Sequence, residues 1–446
     1  MKPFVTQAKS GLLLAFAIAA SGWCANAGST AQTKSITPGE LARFAIISDP
    51  HLYNARLGTT GNAFEAYLDQ DPKLLPQSEA ILESAFSAIV EQHVQFLIIS
   101  GDLTKDGELV DHVLMTQHLA RLREQGVQIF VVPGNHDINN PDAVTYARDN
   151  TRRVPDTSPE TFVALYQRFG YGQAIARDAG SLSYVAEPVP GLRLLAIDSC
   201  KYQQSLQLGT PVVSGWISPE TMDWIRTQIQ DARSAGKQVI AFMHHGVNQH
   251  FLPEPILFPD FLVDDWPVVS AQLAATGLRV AFTGHYHSQD AAYPLGANGG
   301  LQQTLCDIET GALAIYPCAY RIVTINGELL DIHSERVTAI NADTGGLTFQ
   351  KFAEGFLRDR LPIQVIQRLE AMFALSEQEA ASVAPLVVDA IVANYAGDEA
   401  PSPQLQGYIA ALIGSGEPFH TLGLLLGGFW TDIPPQDNNL VVPFAF

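Results

Sequence analysis

The chain has 446 residues, 47% of them apolar and 16% charged, and a formal net charge of −20. This composition excludes a disordered tail protein and allows one large core with an appendage, or two ordinary domains. The acidic balance argues against nucleic acid as a partner, since binding its backbone rests on a Lys/Arg surplus, but leaves room for a small phosphorylated substrate in a pocket with local cations.

At the start of the chain, Lys2 and Lys9 precede an apolar run, Leu12 to Ala20, which Ala25-Asn26-Ala27 follows. A basic end, a short apolar stretch and a small-x-small site predict a secretory signal over 1–27, cleaved after Ala27, and so a periplasmic or secreted protein. The run is shorter than the roughly 20 residues that span a bilayer, and Trp23 before Cys24 does not suit a lipoprotein site. No membrane span is expected later either; the apolar stretch His420 to Trp430 is short and is assigned to core. Cleavage leaves Cys200, Cys306 and Cys318. An oxidising compartment permits a disulfide, and Cys306 with Cys318 is the expected pair, being close in sequence and flanked by strand-like runs.

From Arg43 short apolar runs alternate with longer amphipathic ones. Strands are expected at 44–48, 95–100, 127–132, 192–198, 238–243 and 278–284, and helices at 78–92, near 108–125 and at 218–236, the last with Ser218 as its N-cap. Alternation of this kind predicts an α/β fold with buried strands. Beyond Leu301, "ALAIY", "RIVTI" and "LLDIH" read as close-set antiparallel strands, and from about Phe352 the pattern turns helical. The expected organisation is a signal at 1–27, a catalytic domain over 28–350 and a helical C-terminal region over 351–446, in which no metal-binding or catalytic constellation is visible.

Polar clusters follow five of the strand-like runs: Asp49-Pro50-His51, Gly101-Asp102, Gly134-Asn135-His136-Asp137, His244-His245 and Gly284-His285-Tyr286-His287. Ligands of open α/β sheets bind beyond the carboxyl ends of strands, so these clusters can converge despite their separation in sequence. Each alone reads as a turn or a surface histidine. Together, buried carboxylates and imidazoles at equivalent positions point to a metal site, because such groups are costly to bury unless paired or metal-bound.

The order Asp-x-His, Gly-Asp, Gly-Asn-His-Asp, a separate His and Gly-His-x-His resembles the calcineurin-like metallophosphoesterases, over roughly residues 43 to 335. The resemblance implies a four-layer α/β/β/α sandwich with a C-terminal helical appendage and two metal ions at the strand ends. It implies Asp49, His51, Asp102 and His287 around one ion, and Asp102, Asn135, His244 and His285 around the other, with Asp102 bridging. Imidazole and oxygen donors suit two divalent or first-row ions such as Mn, Zn or Fe. Such a pair generates hydroxide from water near neutral pH and neutralises phosphoryl oxygens. His136 and Asp102 are then the catalytic residues. His136, free of metal, would assist the leaving group, while Asp137 orients its loop. His245, Tyr286 and Arg321 are candidates for substrate contact: His245 either supports a ligand or faces substrate, Tyr286 is read as a pocket wall, and for Arg321 a structural salt bridge is favoured over contact with phosphate. One departure stands out: some relatives carry an Asp or a Tyr three residues after the Gly-Asp carboxylate, where this chain has Lys105 followed by Asp106. That disfavours a ferric-tyrosinate centre and leaves open whether Asp106 reaches His136.

The expected activity is hydrolysis of a small phosphodiester, of cyclic-nucleotide or glycerophosphodiester type. A phosphomonoesterase or nucleotidase is the nearest alternative, and a non-catalytic metal- or phosphate-binding protein the alternative of another class. The long loops Tyr53 to Gln77 and Ile138 to Gly180, which open directly after metal-binding segments, are expected to carry specificity.

Overall fold

The computed structural model describes residues 42–295 and 303–445; the expected signal, its cleavage position after Ala27 and Cys24 lie outside them. Three apolar segments, Arg43–Ile47, Phe96–Ile99 and Gln128–Val131, pair in parallel as one half of a six-stranded sheet. Ala319–Asn326, Leu329–Arg336 and Asn439–Pro443 extend it in antiparallel fashion beyond Arg43–Ile47. A second, seven-stranded sheet has Leu192–Ile197, Gln238–Met243, Val280–Thr283 and Cys306–Glu309 as its parallel centre. The central strands are apolar throughout because both of their faces are covered.

The sheets pack face to face. Phe44 stacks on Phe96 within its own sheet at 4.6 Å between ring centroids and meets Phe282 of the other sheet edge-on at 5.9 Å. On the outer face of the first sheet lie the Ser78–Glu91 and Leu109–Glu124 helices, which bury Ile81, Leu82, Met115 and Leu119. On the outer face of the second lie Pro219–Ser234 and Trp266–Ala275, burying Ile225, Ile229 and Leu273. This is the expected four-layer sandwich. Ser218 caps its helix by accepting from the Thr221 N–H.

Register sets where the polar clusters emerge. Ile47 pairs with Ile99 and Ile99 with Val131, so Asp49, Asp102 and Asn135 leave the first sheet at one level. In the second sheet Phe242 pairs with Phe282, so His244 and His285 leave side by side.

The C-terminal helices Phe349–Phe373, Glu377–Ala396, Pro403–Ile413 and Phe419–Phe429 form their own apolar core. Tyr286, Ala312 and Ile315, from the ends of the sandwich, belong to the same core. The chain then returns, through Asn439–Pro443, to the first sheet. Glu377–Ala396 is long and apolar enough to cross a membrane, contrary to the expectation that no such stretch exists, yet half of it is buried inside the protein.

Two further expectations fail. Cys306 and Cys318 are both free: Cys306 belongs to the second sheet and Cys318 precedes a strand of the first, so closeness in sequence does not bring the thiols together. "ALAIY" forms turns rather than a strand. Its amides instead brace the metal-binding loop, with Leu313 N–H donating to Ser48 C=O and Ala314 N–H to Asp49 C=O, while Ala314 C=O accepts from Leu74 N–H.

Candidate metal centre

Asp49, His51, Asp102, His285 and His287 all have backbone φ between 38° and 80°, the left-handed region. Non-glycine residues there cost roughly 1 kcal/mol or more each, and such strain persists where the surroundings over-determine it. Two glycines allow the loops to meet. A Cβ on Gly134 would lie 2.1 Å from Asp102 Oδ1, and one on Gly284 1.9 Å from Ser48 Oγ. Gly134 is therefore required by close approach, not, as its turn position suggests, by backbone freedom.

The five clusters converge into two groups of ligand atoms that share Asp102. In the first, Asp49 Oδ1 lies 3.4 Å from His287 Nε2, and His51 Nε2 is 3.7 Å from both Asp49 Oδ1 and Asp102 Oδ2. In the second, His244 Nε2 is 3.4 Å from Asp102 Oδ2 and 2.9 Å from Asn135 Oδ1, with His285 completing the group. Asp102 Oδ1 accepts from His136 N–H, so Oδ2 alone faces both groups.

The donor set fits a pair of cations. Buried Asp49 Oδ1 and His285 Nδ1 have no hydrogen-bond partner, although burial without one is costly. On three of the four ligand histidines the other ring nitrogen is paired with a backbone carbonyl: His51 Nδ1 with Thr104, His244 Nδ1 with Ser100 and His285 Nε2 with Asp260. Donation of that N–H leaves the other nitrogen's lone pair for a metal. Burial lowers the pKa of His51 and His285, which keeps both rings in the neutral, ligating form. Burial also opposes ionisation of Asp102, but His244 and His136 outweigh it and hold the carboxyl well below its usual range.

His136 stands apart from the ligands. Its side chain is 22% exposed, whereas those of His51 and His244 are fully buried. Nδ1–H donates to Asp106 Oδ1 at 2.7 Å, and Nε2 lies 3.8 Å from Asp102 Oδ2. Asp106 thus takes up the position that sequence left open. Buried Lys105 pairs with Asp106 and, at 3.3 Å, with Glu108, and its ammonium lies 4.3 Å from the Tyr67 ring centroid. Asp137 accepts from the Leu103, Thr104 and Gly134 amides and so ties two loops together.

Two of the expected substrate contacts lie elsewhere. Arg321 is fully buried, and its guanidinium donates to the carbonyls of Asp290, Glu309 and Asp437 and to Ser334 Oγ. His245 is buried with Nδ1 at 2.8 Å from Ser199 Oγ and Nε2 at 2.9 Å from Val213 C=O, leaving neither nitrogen for substrate. Arg321 thus takes the structural reading, although its partners are carbonyls and a hydroxyl rather than a carboxylate, and His245 takes the supporting rather than the substrate-facing role. Tyr286 does line the cleft.

The cleft over the metal ligands has two lobes. One, of about 260 Å³, is walled by Lys73, Phe258, Phe261 and Tyr286 together with Arg368 and Tyr395 of the C-terminal helices. The other, of about 540 Å³, is walled by Tyr67, Asp106, Asp142 and Tyr146. Gln70, Asp71, Asn135, His136 and Val213 border both. The contribution of the C-terminal helices is not visible in the sequence, where Gln364, Arg368 and Tyr395 are single polar residues on otherwise ordinary helices.

A two-sheet sandwich carrying two ligand groups around one shared carboxylate, all at strand ends, defines a dinuclear metal-dependent hydrolase. The family model described as calcineurin-like phosphoesterase matches residues 42–289, more than half of the chain, and the protein belongs to that family. No curated protein is a significant match. Among solved structures the chain is similar to a dimetal phosphatase from Danio rerio, at 13% identity and a TM-score of 0.47, covering 66% of this chain and 96% of that one. It is also similar to a purple acid phosphatase from yellow lupin (Lupinus luteus) seeds, at 11% identity and a TM-score of 0.41, covering 67% of this chain and 52% of that one.

Proposed function

We propose that this phosphoesterase acts on a small phosphodiester. The observation that carries this reading is the two-lobed cleft, whose halves meet at Asn135 and His136. A diester has two organic arms and one phosphate, and a phosphate at the junction sends one arm into each lobe. Lys73 and Arg368 are the cations lining the first lobe, and they suit the remaining phosphoryl charge.

Asp49, His51, Asp102 and His287 would hold one ion, and Asp102, Asn135, His244 and His285 the other. Bound Mn, Zn or Fe would supply a water-derived nucleophile near neutral pH and neutralise phosphoryl oxygens. The chain's own part is positional. Asp106 fixes the His136 ring through Nδ1–H, so Nε2 faces the cleft and can hand a proton to the leaving oxygen.

Bis(p-nitrophenyl) phosphate and p-nitrophenyl phosphate, each assayed with added Mn or Zn, test the reading. Preference for the diester is expected, and a marked preference for the monoester overturns it. Export is proposed on the N-terminal sequence alone, and N-terminal sequencing of the mature protein should find Gly28 first.

A further inference from the structure

Beside the first lobe lies a separate cavity of about 60 Å³, formed where the C-terminal helices meet the segment around Leu257. Leu369, Val387, Leu422, Leu426 and Phe429 line it, and among the described residues Arg368 is the only charged one in its wall. The cavity and the catalytic lobe share Phe258, Val365, Arg368 and Ile391, so the two adjoin along these residues. At that boundary the Arg368 guanidinium lies 4.9 Å from the Phe258 ring centroid. The cation thus stands where the catalytic lobe meets the hydrocarbon-lined cavity.

We propose that the arm entering the first lobe continues past Arg368 into this cavity as an unbranched hydrocarbon chain, which makes the substrate class an amphiphilic phosphoester with its phosphate at the metal ligands and its alkyl end between the C-terminal helices. The proposal rests on the phosphoesterase reading above and specifies one arm of its substrate. Size selects the chain. An apolar cavity of roughly 150 Å³ is what holds a benzene ring, and this one is less than half as large, so a narrow alkyl chain fits where an aromatic ring does not. The cavity also opens outward, since Met372 in its wall is 48% exposed. A chain longer than the cavity emerges past that side chain.

The test is competitive inhibition of bis(p-nitrophenyl) phosphate turnover by n-alkylphosphonates, methyl to octyl, on the metal-loaded full-length protein. Inhibition constants are expected to fall about fourfold per methylene while the cavity fills, then less steeply. Leu426→Trp, which fills the cavity, should flatten that dependence, and Val387→Phe, on the half-buried opposite wall, provides a second and milder filling. A flat series in the unmodified protein with methylphosphonate still inhibiting overturns the hydrocarbon site and leaves the phosphoesterase reading intact. An unchanged slope in both filled variants also overturns it, by placing the chain elsewhere. Absence of turnover and of inhibition by any phosphonate overturns both readings.

Discussion

His136 is the residue on which turnover depends without binding metal. A positioned general acid contributes about 10² to 10⁴-fold, so His136→Ala should lower kcat by that order while metal content, measured by elemental analysis, stays the same. Asp106→Asn keeps the shape but weakens the acceptor for His136 Nδ1–H. Outer-shell partners of metal ligands are worth about 10- to 100-fold; a loss of that order is expected here, and it should fall on kcat with little change in KM. Lys105 and Glu108 surround Asp106, so the carboxylate that orients the histidine is itself held by a buried ion cluster. Sequence made the ligands legible because each follows a continuous apolar run and brings an Asp, Asn or His to a strand end. It could not show that Asp106 reaches His136, since that depends on how one turn folds back, nor that Arg321 and His245 face inward.

At the scale of elements, the Phe349–Phe373 helix performs two tasks with one face. Leu361 and Val365 bury themselves in the C-terminal core, and Leu361, Gln364, Val365 and Arg368, spaced by three and four residues, also border the catalytic lobe. The helix itself was legible from its periodicity; its role in the site was not, because a lone Arg on an amphipathic helix is usually solvated surface. Arg368→Met should raise KM about tenfold or more, the scale of a lost charge-assisted contact, with kcat changed far less. The metal-binding loops offer a second check. Five ligand residues sit in left-handed backbone and two buried ligand atoms lack partners, so bound ions should stabilise the fold by mass action. Chelation is expected to lower Tm and abolish turnover together, and Mn or Zn to restore both; a Tm indifferent to metal would contradict the assignment.

At the scale of the whole molecule, the fold places a second buried charge cluster at one edge of the second sheet, on Asp290 and Asp307 of its strands Asp290–Ala292 and Cys306–Glu309. His250 Nδ1 is 3.0 Å from Asp290 Oδ1 and its Nε2 is 3.4 Å from Asp307 Oδ2, while Glu254 accepts from the His250 backbone N–H. Asp307 also accepts from the Val247 and Asn248 amides, fixing the loop beyond His244. Burial, reinforced by Asp290 and Asp307 and opposed by His250, pushes the Glu254 carboxyl up to about 8. An acid whose pKa is raised on folding adds stability that is complete below its unfolded value, near 4.5, and is lost as pH rises through the folded value. The buried histidines His51, His112, His245 and His285 have lowered pKa values and act with the opposite sign, but only below the unfolded histidine value of about 6.5. Between about 6.5 and 8 the Glu254 effect is therefore unopposed by them, and His250, whose pKa is raised against the effect of burial by Asp290 and Asp307, adds to it with the same sign. Thermal stability should fall across that window. Glu254→Gln mimics the protonated carboxyl and removes one proton's share of the slope, about 1.4 kcal/mol per pH unit. Melting curves of the two proteins should diverge as pH rises, with the variant gaining relative to the unmodified chain; parallel curves would mean that Glu254 is ionised throughout and that His250 already carries its countercharge.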